Sequence, residues 1–271
     1  MNDEHDLNAA YAPREIAKKV ASMGVAKART NTLTLLTLAV LAGAFISLGC
    51  LFFTVVVTGS TVGFGLTRLI GGLSFSLGLI LVVVGGAELF TGNNLLAMAW
   101  ASRLITTREV ARNWLFSYVG NLIGCLGTVV LAVWGNVASL GNGAMGQTAV
   151  GIAAGKVSLS LGEAFARGIL CNALVCLAVW LAMGGRSVVD KVAALVFPIP
   201  AFVAIGLEHS IANWFFLPFA LMLDAEGALS LTGIGMNLVA VTAGNIVGGT
   251  LLVASVYWVA YLRGEGPRRE G

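Results

Sequence analysis

The chain has 271 residues, of which 58% are hydrophobic and only 11% are charged. The charges are unevenly placed, since no Asp, Glu, Lys or Arg occurs from Thr30 to Thr67, from Asn113 to Gly155 or from Gly227 to Leu262. A spanning helix needs about 20 apolar residues, so these tracts exclude an ordinary soluble domain and predict an integral membrane protein of the helical type. The net charge of +3 gives no reason to expect nucleic acid as a partner.

The N-terminal segment is polar and contains PREIAKKVASMGVAKA at positions 13–28. Ile16, Val20 and Met23 fall roughly on one helical face, whereas the lysines lie elsewhere. This pattern is typical of a short helix that lies on the inner membrane surface. The segment lacks the apolar core and cleavage site of a secretory signal.

The apolar tracts that follow predict six membrane spans. They cover about residues 32–57, 69–98, 112–135, 160–183, 191–220 and 235–262. Spans two and five are interrupted near their middle by GGAELFTGNN (85–94) and GLEHSIAN (206–213), whereas the other four are continuous.

Basic residues set the predicted orientation, because they are enriched in cytoplasmic loops. With the N-terminus inside, most of them fall on the inner side, so both termini are expected in the cytoplasm. The basic residues that fall elsewhere are Arg68, Lys156 and Arg167.

The sequence also repeats itself at offsets of 120 to 125 residues. The stretch from Gly86 to Asn93 matches that from Gly206 to Asn213, and GNLIG (120–124) matches GNIVG (244–248). Each half holds three spans, and an odd number of spans reverses the second half relative to the first. We therefore predict an all-α membrane protein whose six transmembrane helices form two inverted three-helix repeats, with broken second and fifth helices.

The two helix breaks are the predicted functional centre. Unpaired backbone groups are tolerated at membrane depth only inside protein or beside a polar cavity, so two equivalent breaks indicate one shared pathway. His209 lies in the second break, and the only other histidine is His5. An ionisable residue at this depth indicates function, and imidazole exchanges protons near neutral pH. The alternative is a buried histidine with a purely structural hydrogen bond.

Other polar residues near the breaks have two possible roles each. Thr91 can present its hydroxyl to a passing anion or cap a helix, and Asn172 can orient His209, touch substrate or make a plain interhelical hydrogen bond. The repeated acids and amides are expected to be structural at the breaks: Glu88, Glu208, Asn93 and Asn213.

Five segments carry a further pattern: GGLSFSLGLILVVVGGAELFTGNN (71–94), NWLFSYVGNLIG (113–124), GILCNALVCLAVWLAMGGRSVVDK (168–191), GLEHSIANWFFLP (206–218) and GNIVGGTLLVASVYWVAYLR (244–263). In this order they resemble the signatures of the formate/nitrite transporter family, and they are most similar to its formate channel branch. The resemblance implies an aquaporin-like protomer, although aquaporin NPA motifs are absent. It also implies a ring of five protomers, each with its own pore.

The resemblance also implies roles for further residues. Phe75, Leu79, Leu89 and Phe202 match the family's hydrophobic constrictions on either side of the histidine. Lys156 resembles a vestibule lysine that concentrates anions; a lysine snorkelling at the interface is the alternative. The implied organisation is a cytoplasmic segment with an interfacial helix (1–29), a six-span channel domain (30–263, with repeats 30–135 and 156–263) and a disordered cytoplasmic tail (264–271).

The expected function is passive or proton-coupled passage of formate across the inner (cytoplasmic) membrane, with His209 protonating or hydrogen-bonding the anion. Nitrite or hydrosulfide is the alternative substrate within the family, and a neutral-solute aquaporin-like pore is a more distant one. Neither an enzyme nor a cofactor or metal site is expected. No GxxxxGK[ST] phosphate loop occurs, and one of the two histidines lies in the polar N-terminus, so a multi-histidine metal site cannot form in one protomer. The four cysteines lie in apolar tracts, where they behave as small hydrophobes.

Overall fold

The computed structural model describes residues 10–224, 227 and 229–264. Its α-helices are α1 (Pro13–Arg29), α2 (Thr32–Val57), α3 (Phe64–Gly85), α4 (Leu96–Ala101), α5 (Thr107–Trp134), α6 (Ala144–Val157), α7 (Leu161–Gly184), α8 (Val188–Val196), α9 (Pro198–Ile205), α10 (Ser210–Leu223), α11 (Leu231–Val247) and α12 (Val256–Tyr261). Short 3₁₀ helices cover Gly92–Leu95 and Val137–Ser139, and Gly248–Ser255 is π-helical. Apart from Gly264, the predicted tail lies outside the described residues, as do residues 1–9.

Within the described ranges, six helical stretches are long and apolar enough to cross a membrane. The predicted fold class, an all-helical membrane protein that crosses the bilayer several times, is therefore confirmed. The first span matches its predicted limits, but the third begins at Thr107 rather than at 112. Its first turn is polar, and a capping box between Thr106 and Glu109 satisfies the free N–H groups there.

The helix α6, which lies between the third and fourth spans, was not predicted from the sequence. The helix is only 14 residues long and rich in Gly and Ala, so it has neither the length nor the apolar content of a span. Met145, Ala149 and Ala153 are buried, and α6 packs against α10. The last turn of α6 carries Lys156.

Both predicted interruptions coincide with breaks in the helices. The second span stops at Gly85 and resumes at Gly92, and the fifth stops at Ile205 and resumes at Ser210. Gly86 and Gly206 end the two preceding helices with φ values of +78° and +80°, a left-handed conformation that glycine adopts without steric cost. The fifth span is also divided earlier, at Phe197, because Pro198 cannot donate a backbone hydrogen bond.

Close backbone contact joins equivalent helix pairs in the two halves. A Cβ on Gly124 in α5 would lie 2.0 Å from the backbone O of Val40 in α2. A Cβ on Gly248, after α11, would lie 2.1 Å from the backbone O of Ile169 in α7. Only glycine allows helices to approach so closely, so the sequence repeat is also a repeat of packing.

The N-terminal helix α1 packs on the bundle next to the first break. Its buried residues include Ile16 and Val20, and it contacts α4 and α7. Lys19 Nζ donates to the backbone O of Met183 at 3.0 Å. These contacts place Lys27, at the C-terminal end of α1, close to the break between α3 and α4.

Candidate functional site

Two cavities approach the breaks. The first, here called the Lys156 cavity, has a volume of about 300 Å³ and is lined by Arg68, Phe75, Lys156, Arg167, Phe202, Glu208 and His209, among others. The second, the Lys27 cavity, has a volume of about 270 Å³, and its lining includes Met23, Lys27, Leu79, Glu88, Leu89 and Asn93. The two cavities share no lining residue.

His209 lies at the inner end of the Lys156 cavity and is only 3% exposed. Its Nδ1 accepts a hydrogen bond from the backbone N–H of Ala212 at 3.1 Å and so caps α10. Because Nδ1 is an acceptor, the hydrogen of the neutral ring lies on Nε2. That atom is 3.0 Å from Thr91 Oγ1. His209 Nε2 therefore donates to Thr91, and the hydroxyl hydrogen of Thr91 remains available to a passing acceptor.

Thr91 is fully buried at the start of the 3₁₀ helix that follows the first break. Its backbone O accepts from Asn172 Nδ2 at 3.2 Å and from Cys176 Sγ at 3.5 Å. Asn172 Nδ2 also lies 2.7 Å from Asn94 Oδ1 and from the backbone O of Asn245. Asn172 thus contacts the backbone of Thr91 but not the ring of His209, and it lines neither cavity.

Apolar side chains flank the contact between Thr91 and His209. Phe75 and Phe202 meet edge to face with 5.4 Å between ring centroids, and the Phe202 ring lies 6.0 Å from that of His209. Both rings line the Lys156 cavity. Leu79 and Leu89 line the Lys27 cavity instead. The four residues expected at constrictions therefore divide into an aromatic pair and a leucine pair, one beside each cavity.

An ion pair and two amides surround the acid of the second break. Lys156 Nζ lies 2.9 Å from Glu208 Oε1, and Asn213 Nδ2 donates to Glu208 Oε2 at 2.7 Å. Asn213 Nδ2 is also 2.8 Å from Asn237 Oδ1, and Asn237 Nδ2 donates to the backbone O of Lys156 at 3.0 Å. The Lys156 cation and the amide donor of Asn213 stabilise a carboxylate that has little access to water, and Asn237 holds both of these partners.

The first break has the same arrangement. Lys27 Nζ lies 3.0 Å from Glu88 Oε1, and Asn93 Nδ2 lies 2.8 Å from Glu88 Oε2 and 2.9 Å from Asn113 Oδ1. Asn113 Nδ2 donates to the backbone O of Lys27 at 3.1 Å. Lys27, Asn113 and Asn237 were not predicted as site residues from the sequence. The two asparagines are 124 residues apart, which lies within the range of the other repeat offsets. A search for polar residues that recur at these offsets would therefore have identified them.

Two further asparagines satisfy the exposed backbone of the breaks. Asn121 Nδ2 donates to the backbone O of Glu88 at 2.9 Å, and its Oδ1 accepts from the N–H of Phe90. Asn245 Nδ2 donates to the backbone O of Glu208 at 3.0 Å, and its Oδ1 accepts from the N–H of Ser210. These amides replace the hydrogen bonds that an unbroken helix would make, as irregular backbone inside a membrane requires.

Two arginines of the Lys156 cavity bind carbonyls that precede the second break. Arg68 donates from Nε to the backbone O of Ala204 at 3.1 Å and from Nη2 to that of Val203. Arg167 Nη1 lies 3.4 Å from the backbone O of Gly206. The sequence showed these arginines only as basic residues outside the inner segments.

The chain is similar to known membrane transport proteins over nearly its whole length. A family model described as formate/nitrite transporter matches residues 14–259. Formate channel FocA of Escherichia coli (strain K12) is 42% identical, over 93% of this chain and 94% of its own. A probable formate transporter of Methanothermobacter thermautotrophicus is 38% identical, over 93% of this chain and 97% of its own.

Two solved structures also have a fold similar to that of this chain. A structure described as a pentameric formate channel with formate bound superposes with a TM-score of 0.80 at 39% identity, over 86% of this chain and 98% of that chain. A structure described as an FNT family ion channel has a TM-score of 0.84 at 28% identity, over 91% of this chain and 98% of that chain. The extent and identity of these matches establish that the chain belongs to the formate/nitrite transporter family.

Proposed function

We propose that the protein carries formate across the cytoplasmic membrane, as a channel or a proton-coupled transporter, through a path that joins the two cavities. The observation that carries this proposal is the hydrogen bond of 3.0 Å between Thr91 and His209, which lies between two apolar pairs and two cavities with cationic side chains. The names of the relatives favour formate, and the family description includes nitrite as the alternative.

The chemical problem at the centre is the cost of dehydrating an anion. An isolated carboxylate moved into a medium of low dielectric loses solvation worth roughly tens of kcal/mol in the Born limit, whereas formic acid avoids most of this cost. In its neutral form His209 donates its Nε2 hydrogen to Thr91, whose hydroxyl in turn donates to the anion. A second proton can be held only on Nδ1, so the ring must first release the N–H of Ala212. The ring can then transfer one proton to formate and return to the neutral state.

The neighbouring groups assist this step in different ways. The Thr91 hydroxyl donates to the carboxylate while it accepts from His209. The leucine and phenylalanine pairs exclude water and close the path to hydrated ions. Lys27 and Lys156 present ammonium donors beside the cavities, and their pairing with Glu88 and Glu208 keeps the acids out of proton transfer.

The same proposal includes the setting of the pore. The distribution of basic residues favours cytoplasmic termini, so the Lys27 cavity opens to the cytoplasm and the Lys156 cavity to the outside. Residues 1–29 then form a cytoplasmic segment and residues 30–263 the channel domain. We also propose a homopentamer, because the similar solved structure is described as pentameric.

Uptake of labelled formate into proteoliposomes tests this function, with nitrite and glycerol as comparison solutes. We expect saturable formate uptake that increases as the external pH falls, because protons become more available to the path through which the anion is neutralised. In His209→Phe this pH dependence should disappear, while His209→Asn keeps a hydrogen-bonding group without titration and serves as the matched variant. Faster uptake of nitrite would assign that substrate instead. Permeation by glycerol, or unchanged pH dependence in His209→Phe, would refute the proposal.

A further inference from the structure

The two cavities differ in charge although each break has an equivalent ion pair between a lysine and a glutamate. The Lys156 cavity is lined by three cationic side chains, Arg68, Lys156 and Arg167, and by one acid, Glu208. The Lys27 cavity is lined by one cation and one acid. Since Lys156 is paired with Glu208, the positive excess of the first cavity comes from its two arginines.

The two guanidinium groups converge on Gly206, the residue at which the helix breaks. Arg167 Nη1 is 3.4 Å from the backbone O of Gly206, and Arg68 Nη2 lies 3.3 Å from the position that a Cβ on this glycine would occupy. A guanidinium has five N–H donors. Arg68 uses its Nε and Nη2 groups on carbonyls of α9, and Arg167 makes one long contact.

No carboxylate within the described part of the chain pairs with either arginine. The nearest acid along α7 is Glu163, one turn before Arg167. The two interact electrostatically without forming a salt bridge, and the Glu163 carboxylate accepts from Ser160 Oγ at 2.7 Å. Glu163 does not line the cavity. The guanidinium groups of Arg68 and Arg167 therefore line a cavity of about 300 Å³ and have N–H donors that make no hydrogen bond among the described residues. Such donors suit a planar oxyanion that can accept bidentate hydrogen bonds.

We propose that the Lys156 cavity binds small divalent oxyanions, such as a short dicarboxylate, between Arg68 and Arg167 beside Gly206. The bound dianion does not cross, because the aromatic pair Phe75 and Phe202 separates the site from the rest of the path and two charges would have to be desolvated or neutralised together. It acts as a blocker from this face only. The blocking effect rests on the proposed function, whereas the binding itself does not.

Calorimetric titration of the purified protein with oxalate tests binding without any transport measurement. We expect wild-type protein to bind oxalate with an affinity that falls as salt is raised. Arg167→Gln should weaken binding roughly tenfold, as expected for the loss of one charge-assisted bidentate contact. Arg108→Gln is the matched control, because Arg108 is exposed and lines neither cavity, and its affinity should be unchanged.

Arg68→Lys provides a second variant, since it keeps the charge but lacks the planar fork, and it should also weaken oxalate binding. Elution volume and melting temperature verify that each variant is folded. The absence of oxalate binding by wild-type protein, or equal affinities of wild type and a folded Arg167→Gln, would overturn the proposal.

Inhibition of formate uptake by oxalate added on one side of the membrane at a time then tests whether the bound dianion blocks the path. Oxalate added on the side of the Lys156 cavity should raise the apparent KM for formate, and this effect should diminish in Arg167→Gln. Oxalate added on the side of the Lys27 cavity should have no such effect, and equal inhibition from both faces would contradict the assigned site. If formate is not transported at all, the calorimetric result still decides whether the dianion binds.

Discussion

Thr91 Oγ1 and His209 Nε2 lie 3.0 Å apart, although the two residues belong to opposite halves of the chain. Thr91 follows the break of the second span and His209 ends the break of the fifth, so the hydrogen bond joins the repeats at their most irregular points. Each residue is held by its own surroundings, Thr91 through Asn172 and His209 through the N–H of Ala212. The contact is thus fixed by the scaffold before any anion arrives.

Replacing Thr91 by Val removes the hydroxyl while keeping the shape of the side chain. The Nε2 hydrogen of His209 then loses its acceptor in a buried place, and the anion loses a donor. We expect formate uptake to fall roughly tenfold, in line with the cost of an unsatisfied buried group. Thr91→Ser keeps the hydroxyl and should retain most of the uptake. Equal losses in the two variants, measured in the same proteoliposome assay, would show that packing at this position matters and the hydroxyl does not.

A pair of glycines three residues apart in α5 tests the close helix packing. Gly124→Ala places a Cβ 2.0 Å from the backbone O of Val40, whereas a Cβ on Gly127 meets nothing within 4 Å. Overpacking should destabilise Gly124→Ala by about 1–3 kcal/mol. Gly127→Ala should be neutral or more stable, because alanine favours a helix by about 0.5–1 kcal/mol relative to glycine. Melting temperatures in detergent measure both changes, and similar values for the two variants would contradict the role of Gly124.

Removal of one partner from the buried ion pair should be worse than removal of both charges. Lys156→Met leaves the Glu208 carboxylate without its cation, and breaking a buried pair in this way costs about 3–5 kcal/mol. In Lys156→Met with Glu208→Gln, the neutral amide can still accept from Asn213. We therefore expect the double variant to melt at a higher temperature than the single one. A double variant that melts lower would show that the charge on Glu208 itself stabilises the break.

The sequence was sufficient for the spans and for the position of the breaks. Long apolar tracts located the helices, and the matching offsets of Glu88 and Glu208 identified the two interruptions as equivalent. The left-handed glycines at Gly86 and Gly206 are the local cause of these breaks. All of these features depend on neighbours in the chain or on the repeat, which is why they could be predicted.

Features that depend on packing between distant segments were not predicted. Lys27 is 61 residues from Glu88, and only the docking of α1 next to the first break brings them together. Arg68 and Arg167 meet at Gly206 because α3 and α7 both pack against α9. The helix α6 was not predicted because its small residues do not form an apolar tract as long as a span. Their burial comes from packing against α10.

The two breaks differ most in chemistry at one position, which is a leucine in the first and a histidine in the second. Leu89 follows Glu88 just as His209 follows Glu208. The repeat therefore has two equivalent positions, and only one of them carries an imidazole. Under the proposed function, each pore then serves its anions one at a time, in single file past one ring. The transport rate of an assembly would be proportional to its number of chains. Formate uptake by Leu89→His would show what a second imidazole at the equivalent position adds.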